Sequence, residues 1–147
     1  MLDSCYHLDH SPNLLDYEFV SKGPKGDVIK VVRYREINVK GIYNLGFGDL
    51  ELETGFINDR VVTDNNDSQK VLATVTQTLY LFTEHYPDAQ VIATGSTEAR
   101  TRLYRMGITA HLAEAERDFQ LLGLTEVDWE PFRKHTTYFA FAVRRRS

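Results

Sequence analysis

Three arginines and a predicted helix start opened by two hydroxyl residues fall within residues 95–107, GSTEARTRLYRMG, directly after the apolar run Val91, Ile92, Ala93 and Thr94. A helix that opens at the end of a buried strand points its first backbone N–H groups outward, which suits an anion. Ser96 and Thr97 add hydroxyls there, and Arg100, Arg102 and Arg105 add the planar forks that match a phosphate. With Ala99 taken as the inward direction, Leu103 and Met106 fall within about 40° of it and complete a buried stripe. Arg102 and Arg105 then share one flank, and Arg100 lies on the other beside Tyr104. Glu98 precedes Arg102 by four residues, the favourable spacing for an ion pair. A cation as near the helix start as Arg100 opposes the helix dipole by about 0.3–1 kcal/mol unless an anion offsets it.

Two further polar groups could carry chemistry. Asp64, Asn65, Asn66, Asp67 and Ser68 stand at a second strand-to-helix junction, where they read either as caps and turn formers or as a site. If the strands ending near Asp64 and Thr94 are neighbours, both helix starts open on one sheet edge. Asp64 and Asp67 repel a bare phosphate, so they suit a metal ion, a cationic group or a base edge. Asn44 and Asp49 lie in NLGFGDL, whose Gly46 and Gly48 mark a bulge or a close backbone approach, with Asp49 either a turn former or a general base. The candidate acid–base residues are therefore Asp49, Asp64 and Asp67, and the candidate ligand-binding residues are Asn66, Ser68, Ser96, Thr97, Arg100, Arg102 and Arg105. Cys5, His7 and His10 offer metal-ligand types without a fourth partner, and His85, His111 and His135 are scattered, so no metal site, triad or cofactor is assigned.

The elements that must position these residues change period half-way along the chain. Residues 17–20 and 27–34 read as strands around the turn KGPKG, a third strand fits 41–47 and a fourth 56–63, giving an antiparallel meander. Val71, Val75, Leu79, Phe82 and Tyr86 then recur at helical spacing up to Pro87, with Asn66 and Gln69 resembling a capping box. A strand over 91–94 leads into the arginine-bearing helix, for which Gly107 reads as a left-handed stop. A second short helix is expected over 109–118 with Thr109 as its cap, then an extended stretch at 119–122. The apolar run 137–143 reads as an interior strand, with Arg144, Arg145 and Arg146 running past the sheet. The expected class is α+β: a mostly antiparallel sheet, built from a four-strand meander and C-terminal strands, with one long core helix and two shorter ones.

Composition bounds the function classes. The 147 residues carry a formal net charge of −4 and one cysteine, Cys5, which cannot form an internal disulfide. Broad affinity for nucleic acid is disfavoured by that charge, although local basic clusters remain. No apolar run approaches the roughly 20 residues of a membrane span, and the start MLDSCYHLDH lacks signal-peptide character, so a cytoplasmic protein without a membrane partner is expected. Residues 1–14 read as a tail and 15–147 as one domain.

NLGFGDL at 44–50, NNDSQKVLATV at 65–75 and ATGSTEARTRLYRMGI at 93–108 together resemble a family of small bacterial proteins of unknown function. That resemblance implies a stand-alone protein encoded beside a small partner, as toxins are beside antitoxins. The order of four strands, long helix, strand and the helix EARTRLYRMGI resembles, more distantly, the GCN5-related acyltransferases, which implies acyl-CoA as a substrate. Ala99, Leu103 or Tyr104, and Gly107 with Ile108 approximate that family's A-x-x-L-Y-x-x-x-G-F pattern, but its glycine loop corresponds here to DNNDSQK at 64–70, which has no glycine and two acids. Three readings follow: a protein binding a phosphate-bearing ligand, RNA or a nucleotide, as the toxin-like member of a two-gene module; a divergent acyltransferase; and a noncatalytic interaction module.

Overall fold

Tyr17, Phe19 and Ser21 are buried while Glu18 and Lys22 between them are exposed, the period-two pattern of a strand with one covered face. The structure, a computed structural model, describes residues 5–58, 64–95 and 97–146. Among these it is α+β, as expected, with three helices and nine strands in a mostly antiparallel sheet. The chain divides into two compact units, one formed by residues up to Arg35 together with Gly46–His85, the other by Glu36–Leu45 and the chain from Tyr86 onward.

In the first unit, β1 (Asp9–His10) pairs antiparallel with β2 (Asp16–Gly23), which pairs antiparallel with β3 (Gly26–Glu36). The β2–β3 turn uses Pro24, whose φ is fixed by its ring, and Gly26, which takes φ 86°. Strand β4 (Ile42–Leu50) follows, and its end pairs with β5 (Ile57–Asn58). At Gly48 a Cβ would lie 2.5 Å from both the Asn58 carbonyl oxygen and Ile57 Cγ2, so this glycine marks a close backbone approach. Most of the remainder of the expected fourth strand, 59–63, lies outside the described residues.

Helix α1 (Ser68–His85) buries Val71, Val75 and Phe82 as expected, but Leu79 is only half-buried and Tyr86 lies beyond the helix end. Thr74, Thr78 and Thr83 take the innermost places instead, each 0 % exposed. Their hydroxyls donate to helix carbonyls, Thr74 to Lys70, Thr78 to Val75 and Thr83 to Leu79, at 2.6–2.7 Å, which satisfies the buried oxygens locally. Tyr34 stacks on Phe82 at 4.1 Å between ring centroids. The segment read as a tail is tied into this unit: the Tyr6 backbone N–H donates to Thr74 Oγ1 and its ring stacks on Phe19.

The second unit contains the first residues of β4, which pair in parallel with β6 (Gln90–Ala93). Helices α2 (Glu98–Ala110) and α3 (Leu112–Asp118) come next, then β7 (Phe119–Leu124), β8 (Trp129–Pro131) and β9 (Ala140–Arg145). Strand β9 pairs antiparallel with β6 on one side and β7 on the other, and β7 with β8. Ala140, Phe141, Ala142 and Val143 are all buried, as expected of a strand covered on both faces.

Three local features differ from expectation. Helix α2 continues through Gly107, which does not take a positive φ, and Thr109 lies inside the helix; the break comes at His111. The inward face of α2 carries Arg100 and Tyr104, at 2 % and 8 % exposure, whereas Ala99 is exposed and Met106 is 56 % exposed. A tyrosine ring and an arginine stem bury more apolar surface than an alanine and a methionine at this site, which rotates the helix relative to the small-residue stripe. Finally, β9 includes Arg144 and Arg145, so this basic run begins within the sheet rather than past it.

Candidate functional site: a cleft beside helix α2

Thr97 takes the N-cap position of α2 with extended φ and ψ of −134° and 161°, and its Oγ1 accepts the Arg100 backbone N–H at 3.2 Å. One turn on, the Thr101 hydroxyl donates to the Thr97 carbonyl at 3.1 Å. Gly95 precedes them because a Cβ there would lie 2.5 Å from Thr101 Oγ1, so only glycine lets the chain pass so close to the first turn.

Spacing along the helix then sets one flank. Glu98, Thr101, Arg102 and Arg105 recur at three- and four-residue steps, and together with Thr94, Gly95 and Thr97 they line one side of a cleft of about 580 Å³. The other side is the approach to β9: Thr137, Tyr138 and Phe139. The two sides meet because Ala93, at the end of β6, pairs with Phe141 near the start of β9. The volume suits a small-molecule site.

Two guanidinium groups and one carboxylate enter this cleft. The Glu98–Arg102 pair expected from spacing is not formed, and among the described residues neither the Arg102 nor the Arg105 side chain makes an ion pair or hydrogen bond. Phe139 lends an aromatic face that is 52 % exposed. Tyr138 is different: its ring is 3 % exposed and fits over Gly123, where a Cβ would lie 2.5 Å from it. Its hydroxyl donates to Glu130 Oε2 at 2.7 Å and accepts the Arg133 backbone N–H at 3.1 Å, so it is held as a wall.

That hydrogen bond, with a second from the Arg133 side chain at 2.9 Å, holds the Glu130 carboxyl below its ordinary 4.5. A lowered folded-state value stabilises the fold above the ordinary carboxylate range, and the contribution disappears as pH falls through the depressed value. The stability gap between the wild-type chain and Glu130→Gln is therefore expected to be constant near neutrality and to close on acidification. Urea denaturation at a series of pH values would show it; a gap independent of pH would refute it.

The candidate residues from the sequence separate by unit. Thr97, Arg102 and Arg105 come together at the cleft, and Ser96 lies outside the described residues. Arg100 turns inward and does not line the cleft. Asp49, Asp64, Asn66, Asp67 and Ser68 belong to the first unit. There Asp49 Oδ1 accepts the Lys30 ammonium at 2.6 Å, with Lys30 only 1 % exposed. Asp64 Oδ1 accepts the Asn66 N–H at 2.9 Å, a local turn that carries Asn66 to φ 60° in place of a capping box. Asp67 Oδ2 accepts the hydroxyls of Ser21 and Tyr6, each at 2.6 Å. Burial and then that bond push the Tyr6 phenol above its ordinary value. Ser68 is exposed at the helix start.

Sequence reasoning did not single out Thr101, Thr137, Tyr138 or Phe139 as cleft residues. Reading 137–143 as one interior strand concealed Phe139, which precedes β9 and faces solvent. Among the described residues no group of three His, Cys, Asp or Glu side chains could hold a metal ion, and no helix is long and apolar enough to cross a membrane.

A family model described as a family of unknown function, DUF6934, matches residues 3–146. The chain belongs to this family. The DUF6934 match spans both units, so the cleft and the Lys30–Asp49 pair lie within the family's extent. No curated protein and no solved structure matches this DUF6934 chain.

Proposed function

We propose that the cleft beside α2 binds a phosphate-bearing ligand, RNA or a nucleotide. The observation that carries this reading is the pair Arg102 and Arg105, which stand on one helix flank in a cleft without protein partners among the described residues. Two arginines otherwise left beside each other gain most from an anion that accepts both forks. Phe139 adds a face on which a base can stack, and Glu98 adds an acceptor for base N–H groups.

Calorimetric titration with adenosine 5′-monophosphate tests the reading. The double change Arg102→Ala/Arg105→Ala is expected to weaken binding by at least about 100-fold, since hydrogen bonds to charged groups contribute about 1.5–3 kcal/mol each. Stability should stay within about 0.5 kcal/mol of wild type, as for other surface changes. An unchanged Kd would overturn the proposal.

An acyltransferase reading has one support, the order of elements: strands, long α1, β6, then α2. Against it, the 64–70 segment is engaged in bonds that fasten Asn65 and Asp67 to the first unit. Acetyl-CoA at 100 times its Kd would add about 2.7 kcal/mol of stability, so a thermal shift separates the two readings.

A further inference from the structure

Three residues meet across the adjacent strands β6, β9 and β7: Gln90 pairs with Arg144, and Arg144 with Gln120. Directly paired residues project to the same face of a sheet. The next rows are apolar, Val91 with Val143 and Leu121, then Ile92 with Ala142 and Leu122. The Gln90, Arg144 and Gln120 row is thus a line of side-chain donors beside two apolar rows.

A second cleft, of about 530 Å³, opens there, lined by Pro87, Asp88, Gln120, Arg144, Arg145 and Arg146. Three arginines contribute to its lining. Arg146 Nε donates to the carbonyls of Glu116 at 2.7 Å and Phe119 at 3.0 Å, and the Arg145 guanidinium lies 5.5 Å from the Phe119 ring centroid. Arg144 is exposed, and its side chain makes no ion pair or hydrogen bond among the described residues. Asp88, the single carboxylate in the lining, forms no ion pair with any of the three among those residues. Three cations against one anion, in a chain whose net charge is −4, concentrate positive potential at one end of the sheet.

We infer that this cleft is a second anion site, separate from the one beside α2, which takes phosphate groups through Arg144, Arg146 and the Gln120 amide. The phosphates come either from a free polyphosphate chain or from an RNA backbone, and both present the same oxygens to the same donors.

The test is made in the Arg102→Ala/Arg105→Ala protein, so that the α2 cleft cannot account for binding. Inorganic tripolyphosphate and a fluorescent eight-nucleotide adenylate RNA are titrated separately at low salt. At least one probe is expected to bind, with Arg144→Gln weakening it about tenfold and added salt weakening it further. Asp88→Asn should strengthen the same binding, a gain that misfolding cannot produce. Preference for the RNA assigns the site to a nucleic-acid backbone, and equal or better binding of tripolyphosphate assigns it to a free polyphosphate. Failure of both probes to bind, or an Arg144→Gln protein with unchanged affinity, would overturn the inference. Because the α2 cleft is already disabled, these outcomes do not depend on the reading of that cleft.

Discussion

Asp49→Ala is expected to destabilise the fold by about 3–5 kcal/mol, because it leaves the Lys30 ammonium, 1 % exposed, without its 2.6 Å carboxylate contact. This is a large fraction of the roughly 5–15 kcal/mol that holds a typical domain together. Urea denaturation should show a lower midpoint at unchanged m-value. The compensated change Lys30→Met/Asp49→Leu should recover most of the loss, since replacing both members of a buried ion pair with apolar groups is often neutral. If Asp49 acted only as a general base, Asp49→Ala would leave the midpoint in place, and that result would refute a structural role for the Lys30–Asp49 pair.

The second large effect is expected at Asn65, which is 1 % exposed. Its Oδ1 accepts the Lys25 N–H at 2.7 Å, and its Nδ2 donates to the Gly26 carbonyl at 2.7 Å. The side chain therefore completes the β2–β3 turn as a neighbouring strand would. Asn65→Ala removes both bonds to the exposed turn and opens a void, at a cost of about 1–3 kcal/mol for the two hydrogen bonds alone. Asn65→Asp keeps the acceptor but sets a buried carboxylate oxygen against the Gly26 carbonyl, and should destabilise at least as much as Asn65→Ala. Equal stability of all three proteins in thermal denaturation would refute the clasp.

The fold was largely legible because its signals are local. Residues 17–20, the KGPKG turn and the helical recurrence of Val71, Val75 and Phe82 each specify an element within a few residues. Strands β1 and β8 were not legible, since two or three residues, one of them Pro131, carry no period. The candidate site was legible only in part. Arg102 and Arg105 could be placed on one flank from spacing, but which side of α2 turned inward depended on Tyr104 finding a partner surface. Likewise, Asp49, Asn65 and Asp67 look from sequence like site residues because buried structural bonds and ligand bonds draw on the same side chains. Only Lys30, Lys25 and Ser21, 19 to 46 positions away, reveal which use is made of them.

The Asn65 clasp also imposes an order in time. The β2–β3 hairpin is translated long before residue 65 leaves the ribosome, and Tyr6 waits longer still for Thr74, a separation of 68 residues. During synthesis the hairpin turn has only water to bond, and the aromatic face carrying Phe19 has no helix over it. Contacts of such span form late and slowly. The nascent N-terminal half thus passes through an interval in which its strands are made but cannot yet be fastened, and the window for misassembly closes only when the start of α1 emerges.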